Sequence, residues 1–266
     1  MDGRTVSTTL PEDSAARGLG EDAAARSASA APRSVLDVTA LRKLYGDQVA
    51  LDDISFVVHP GEVLGLIGPN GAGKTTLLEV IAGLLPADSG AIAWHGSPLP
   101  QARRRDAIFY IPDGIRPYRE QPVARALAFF AAIYGRSTAH TAEVIARFGL
   151  ERSLSKCVQS LSKGYARRLA LALGFLTPHP LLLMDEPFDG FDLRQTRDIG
   201  NVLRQEARSG RTLLLAIHQL ADAQRVCDRF ILLADGRLRG IGTLAELRTR
   251  AGAPAASLEE IFLALT

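Results

Sequence analysis

What this chain lacks narrows its chemistry before any motif is read. Cysteine is nearly missing: Cys157 and Cys227 are the two among 266 residues. They stand far apart with no metal-ligand spacing, which excludes a disulfide scaffold and reads as free thiols in a reducing compartment. No apolar run approaches the roughly 20 residues that cross a bilayer; the longest, such as Leu169–Leu176, suit buried helix segments. Charge of one sign is lacking too. With 31 basic against 29 acidic residues, nothing points to nucleic acid or an anionic membrane as the main partner. Residues 1–34 have no apolar core of a signal peptide and no periodicity, so they read as a disordered tail. The remainder, 35–266, has the size of one large domain with a sub-lobe.

The most informative stretch that is present runs Gly68-Pro69-Asn70-Gly71-Ala72-Gly73-Lys74-Thr75-Thr76. It fits the phosphate-binding pattern G-x-x-x-x-G-K-[ST] at every required position. The apolar run Val63–Ile67 before it reads as a buried strand, and Thr76–Ile81 after it as the start of a helix. Glycines let the backbone curl so that successive N–H groups point at phosphate oxygens, and the helix N-terminus adds partial positive charge. Lys74 is expected to reach the β/γ-phosphates and the Thr75 hydroxyl to ligate Mg²⁺.

Other apolar runs end in polar residues: Ile108–Pro112 at Asp113, Leu181–Met184 at Asp185-Glu186, and Leu213–Ile217 at His218. Near-continuous apolar strands imply burial on both faces, hence an α/β fold with a mainly parallel sheet between helices. Ligands of such sheets bind beyond the carboxyl ends of the strands. Asp113, Asp185, Glu186 and His218 are therefore expected to converge on the nucleotide held at Gly68–Thr76. Asp185 offers the second Mg²⁺ anchor, and Glu186 stands one residue on, where it can polarise an attacking water.

Elsewhere the pattern is plainer. Leu36, Val38 and Ala40 alternate with polar residues, as do Ile54, Phe56 and Val58, and both read as half-buried strands. Between about 114 and 178 the chain reads as an inserted helical lobe, with helices over Ala124–Tyr134, Thr141–Phe148 and Tyr165–Leu176 and Pro122 in a first turn. Phe129, Phe130 and Tyr134 fall at helical spacing, and at least two of them are expected in the core. Thr243…Glu246 and Ser257…Glu260 match capping boxes that open short helices over 243–266.

With these residues in hand, the chain resembles the ATP-binding cassette (ABC) ATPases from about Val35 to Leu265. Leu161-Ser162-Lys163-Gly164-Tyr165 is similar to the family's signature motif, with Lys163 and Tyr165 departing from the commonest residues. The resemblance implies a P-loop NTPase with an N-terminal antiparallel β subdomain and the inserted α-helical lobe. It implies that Ser162 and Gly164 contact the γ-phosphate held by an opposite subunit, and that Asp189-Gly190-Phe191-Asp192 crosses that interface. It also implies that His218 senses the γ-phosphate and positions Glu186, and that Tyr45 stacks on adenine. One position departs: the family usually places Gln where Asp113 stands. Asp keeps an oxygen ligand for Mg²⁺ but crowds three carboxylates, Asp113, Asp185 and Glu186, which predicts a raised pKa on one of them.

The activity so implied is ATP hydrolysis with ATP and Mg²⁺, powering an exporter-like bacterial transporter through ATP-driven dimerisation. The partners would be a transmembrane permease on a separate chain and a second cassette, identical or paralogous, with no nucleic acid. The place would be the cytoplasm, peripheral on the inner face of the membrane. The alternative is a soluble ABC ATPase acting on ribosomes or nucleic acid, although neither tandem cassettes nor long coiled coils are present.

Overall fold

The computed structural model describes residues 34–116 and 118–266. The segment read as a tail, 1–34, lies outside the described residues except for Ser34. In chain order the elements are β1 (Leu36–Tyr45), β2 (Gln48–Val58), β3 (Val63–Ile67), α1 (Lys74–Ala82), β4 (Ser89–Trp94) and β5 (Ser97–Pro98). They continue with β6 (Ile108–Ile111), α2 (Val123–Ile133), α3 (Thr138–Arg147), α4 (Lys163–Leu176), β7 (Leu181–Asp185) and α5 (Leu193–Arg208). The last are β8 (Thr212–Ile217), α6 (Leu220–Val226), β9 (Arg229–Ala234), β10 (Arg237–Gly242), α7 (Leu244–Arg250) and α8 (Leu258–Leu265).

Two sheets form. One is antiparallel, in the order β2-β1-β4-β5; the other has six strands, in the order β10-β9-β3-β8-β7-β6. In the second, β9, β3, β8, β7 and β6 run parallel, and β10 closes one edge as an antiparallel hairpin arm. Every residue of β3, β7 and β8 is buried, as their unbroken apolar runs require.

Period-two alternation then splits each strand between two cores. Leu64, Leu66, Leu181, Leu183, Leu214, Ala216, Ile231 and Leu233 pack with α1 and the antiparallel sheet. Val63, Ile67, Leu182, Met184, Leu213, Leu215 and Leu232 pack with α4 and α5 on the other face. Each fully buried leucine contributes about 1.5–3 kcal/mol relative to exposure, so the sheet is a stiff platform for whatever its carboxyl ends carry.

Local departures have local causes. Ala40, expected to face inward, is exposed at φ 48°: the register shifts between Val38 and Leu41, and its N–H donates to Ser55 Oγ at 2.8 Å. The extra residue of a bulge reverses the alternation. Helix α3 begins three residues before Thr141 because the Ser137 hydroxyl caps it, accepting from His140 N at 3.1 Å. Pro122 is the cap residue of α2 rather than a member of its first turn. Both expected capping boxes form, at Thr243/Glu246 and Ser257/Glu260, and Asp192/Gln195 forms a third on α5. Phe130 and Tyr134 are half-buried, while Phe129 is exposed.

Candidate active site

The phosphate loop joins β3 to α1 and turns through two left-handed glycines, Gly71 at φ 84° and Gly73 at φ 102°. Beside β3 in the sheet lies β8, and beside β8 lies β7, so His218 and Asp185-Glu186 project from strand ends adjacent to the loop. A cavity of about 700 Å³ opens there. Its wall includes Tyr45, Asn70, Gly71, Gly73, Lys74, Thr75, Thr76, Asp113, Asp185 and Glu186. Gly68 and Ala72 do not line it; they pack the base of the loop, where a Cβ on Gly68 would fall 2.3 Å from Leu233 O and 3.0 Å from Ala72 Cβ.

Lys74 is buried, and its Nζ donates to the carbonyls of Gly68 at 2.8 Å and Pro69 at 3.1 Å. Burial holds its pKa below the ordinary lysine value, and the nearby Glu186 and Asp185 carboxylates oppose that shift. The Thr75 hydroxyl donates to Asp185 Oδ2 at 2.6 Å, so the two expected cation-side oxygens already touch. Asp185 is 4% exposed. Burial raises its pKa, the Thr75 hydrogen bond works against the rise, and the Asp113 charge adds to it. One crowded carboxylate is thus raised as expected, but desolvation, not crowding, is the largest cause.

Glu186 sits in the left-handed region at φ 51°, a conformation costly for a residue with a Cβ, and its N–H is tied to Ala216 O at 2.9 Å. That backbone aims the side chain at the ring of His218, whose Nδ1 lies 2.5 Å from Glu186 Oε2. The pair spans the ends of β7 and β8, as a general base and the group that orients it would. Tyr45 lies at the rim, 48% exposed, with its ring 5.6 Å from Lys43 Nζ.

Ser162 and Gly164 do not line this cavity. Ser162 caps α4, accepting from Tyr165 N at 3.4 Å, and the start of α4 packs on the loop after β7. A Cβ on Gly164 would lie 2.9 Å from Gly190 O, and Lys163 Nζ pairs with Asp189 at 2.6 Å.

Three features escaped the sequence. Where β2 leaves its turn, Gln48, Val49 and Ala50 line the cavity wall, and the β9–β10 turn contributes Asp235 and Gly236. Gly236 N donates to Ala72 O at 3.1 Å, fastening that second turn to the phosphate loop. The third is Arg167 on α4, which is ion-paired with Asp113 and buried beneath it. A basic residue in a helix reads as surface, so its only signal was the unusual acid at Asp113.

A family profile described as ABC transporter matches residues 51–189. The chain is 35% identical over 222 residues to Nod factor export ATP-binding protein I of Cupriavidus metallidurans, covering 80% of this chain and 73% of that one. It is 33% identical over 240 residues to the ABC-type transporter ATP-binding protein EcsA of Bacillus subtilis, covering 88% of this chain and 97% of that one. Among solved structures, an ATP-binding subunit of an ABC transporter superposes with a TM-score of 0.79 at 36% identity, over 87% of this chain and 99% of the other.

Proposed function

The chain belongs to the ABC transporter family and is an ATPase subunit that powers a membrane transporter, and on that premise we propose that it drives export as one of two cassettes closing on ATP. One observation carries the site assignment: the phosphate loop, the Thr75–Asp185 hydrogen bond and Glu186 meet at one cavity, with His218 held against Glu186 from outside the cavity lining. Support for export comes from the relatives named for Nod factor export.

Tyr45 stacks on adenine, and the backbone from Gly68 to Thr76 cradles the phosphates. Lys74 exchanges its two carbonyl partners for phosphate oxygens, which restores the charge partners its burial removed. Thr75 and Asp185 would hold Mg²⁺, and Asp113 would add a third oxygen only on release from Arg167. The donor set suits a hard cation, and among the described residues no three His, Cys, Asp or Glu side chains gather as a ready-made cage. A cation held there would supply charge neutralisation to the phosphates. Glu186 takes a proton from the attacking water, while His218 Nδ1–H holds the carboxylate in line. Ser162 and Gly164 reach the nucleotide of a second cassette, identical or paralogous, so that binding energy closes the pair and hydrolysis releases it.

The permease, on a separate chain, docks on the exposed strip of Ile115, Tyr118, Phe129 and Ile133. Tyr118 and Phe129 stack edge to face there, 5.2 Å apart, and such an apolar patch marks a contact surface. The cassette thereby sits on the cytoplasmic face of the membrane. Affinity capture of the Glu186→Gln chain with ATP and Mg²⁺ from detergent-solubilised cells tests this. A multi-spanning membrane protein at near-equal amount is the expected result. Ribosomal or other soluble partners without a membrane protein would overturn the transporter assembly.

A further inference from the structure

Arg167 is an arginine in the wrong place for an ordinary surface helix. Its side chain is 5% exposed, whereas that of its partner Asp113 is 48% exposed. Three acceptors converge on the one guanidinium. Nη2 donates to Asp113 Oδ1, and Nη1 donates to Pro112 O and to Asp185 O, both at 3.3 Å. Pro112-Asp113 follows β6 and Asp185 ends β7, while Arg167 belongs to the first turns of α4, the helix that Ser162 caps. One side chain therefore ties the helical segment to two strand ends of the catalytic platform. A planar, permanently charged fork suits this three-way hold, and a lysine would not reproduce it.

We infer that Arg167 is a positioning residue that withholds Asp113 from the cation side of the nucleotide site, making the ion pair the link between α4 and catalysis. Asp113 lines the nucleotide cavity together with Thr75 and Asp185, but its carboxylate is directed onto α4. It also lines a second, smaller cleft of about 200 Å³ with Gly114, Arg116, Lys163 and Arg167. Its charge has two competing claims: the guanidinium on the α4 side, and Mg²⁺ on the phosphate side. Movement of α4 relative to β6 shifts that competition. An acid can occupy this turn because Arg167 neutralises it; without Arg167, Asp113 adds repulsion to the incoming phosphates. This inference rests on the reading of Thr75 and Asp185 as the cation-side pair.

The test is a mutant cycle read by equilibrium binding of ATP with and without Mg²⁺, alongside hydrolysis. Arg167→Gln is expected to weaken Mg²⁺-free ATP binding by about tenfold, the effect of one uncompensated charge in a partly solvated cleft. It is also expected to lower the Mg²⁺ concentration for half-maximal binding about threefold, because a freed carboxylate attracts the cation. Adding Asp113→Gln to Arg167→Gln should restore Mg²⁺-free binding to within about twofold of the native chain if the sites couple as a pair. Equal affinities for the single and double variants would overturn the inference and leave Arg167 a packing residue. Arg167→Lys keeps the charge but not the fork and serves if Arg167→Gln does not fold: its Mg²⁺-free affinity should fall by no more than about threefold, and a tenfold loss there would also overturn the inference. Native binding indifferent to Mg²⁺ would instead sink the cation-site reading itself.

Discussion

Gly68 and Gly71 stand three residues apart in the phosphate loop and answer different demands. Gly68 is a matter of space: any Cβ there drives into Leu233 O. Gly71 has open space around it but a φ of 84°. Gly68→Ala should therefore cost about 1–3 kcal/mol as overpacking, and distort the loop, whereas Gly71→Ala should cost about 1–2 kcal/mol through backbone strain alone. Urea unfolding with nucleotide titration separates them: nucleotide affinity should collapse for Gly68→Ala and fall only a few fold for Gly71→Ala. Equal losses of affinity would mean that loop flexibility, not the Leu233 contact, governs binding. Lys74, Thr75, Asp185 and Glu186 were legible because each follows from a short pattern: a loop fingerprint, or an apolar strand ending in acids. Arg167 was not, because its meaning depends on Asp113, 54 residues away, and helix periodicity carries no record of such a partner.

At the scale of elements, the start of α4 is pressed against the loop that follows β7. Gly164 faces Gly190 O and the Phe191 ring, while Lys163 pairs with Asp189. Gly164→Val should lower stability by about 1–3 kcal/mol through this clash, visible as a lower melting temperature of the isolated chain without nucleotide. An unchanged melting temperature would assign the glycine entirely to contacts with another subunit. The buried strands β3, β7 and β8 and the capping boxes were legible because their signals are local: unbroken apolar runs, and Ser or Thr three residues before Glu. The bulge at Ala40 was not. Alternation alone cannot count an inserted residue, and Ser55 Oγ, which takes the freed N–H, comes from the neighbouring strand.

On the scale of the whole molecule, acid stability should depend on His179, between α4 and β7. Its Nε2 donates to Arg105 O at 2.9 Å, and its ring lies 5.5 Å from Phe109 and 5.8 Å from Tyr134. Burial pulls its pKa below the ordinary histidine value, the Arg105 hydrogen bond opposing. The folded state then favours neutral His179 more than the unfolded state does. Its contribution is complete above about pH 6.5 and is lost as pH falls through the lower folded value. His179→Gln should flatten the fall in unfolding free energy below about pH 6.5 relative to the native chain; parallel curves for the two proteins would exclude His179 as the source. The parallel platform and its convergence of Asp113, Asp185, Glu186 and His218 were legible from strand polarity. The approach of the start of β2 and of the β9–β10 turn to the phosphate loop was not, because two-sheet packing brings together segments with no shared pattern.

The strand order grades the platform mechanically from one side to the other. The phosphate-loop strand β3 is hydrogen-bonded on both flanks, to β8 and β9, up to its last residue, Ile67. Among the described residues, the four-residue β6 has a ladder partner on one flank alone, β7, and delivers the chain into Asp113 and the helical segment. An edge strand with half the backbone bonds yields before an inner one. Displacement of α4 is therefore expected to reach this rim strand before the phosphate loop. Such a gradient would let motion be imposed at the rim while the phosphate loop keeps its register.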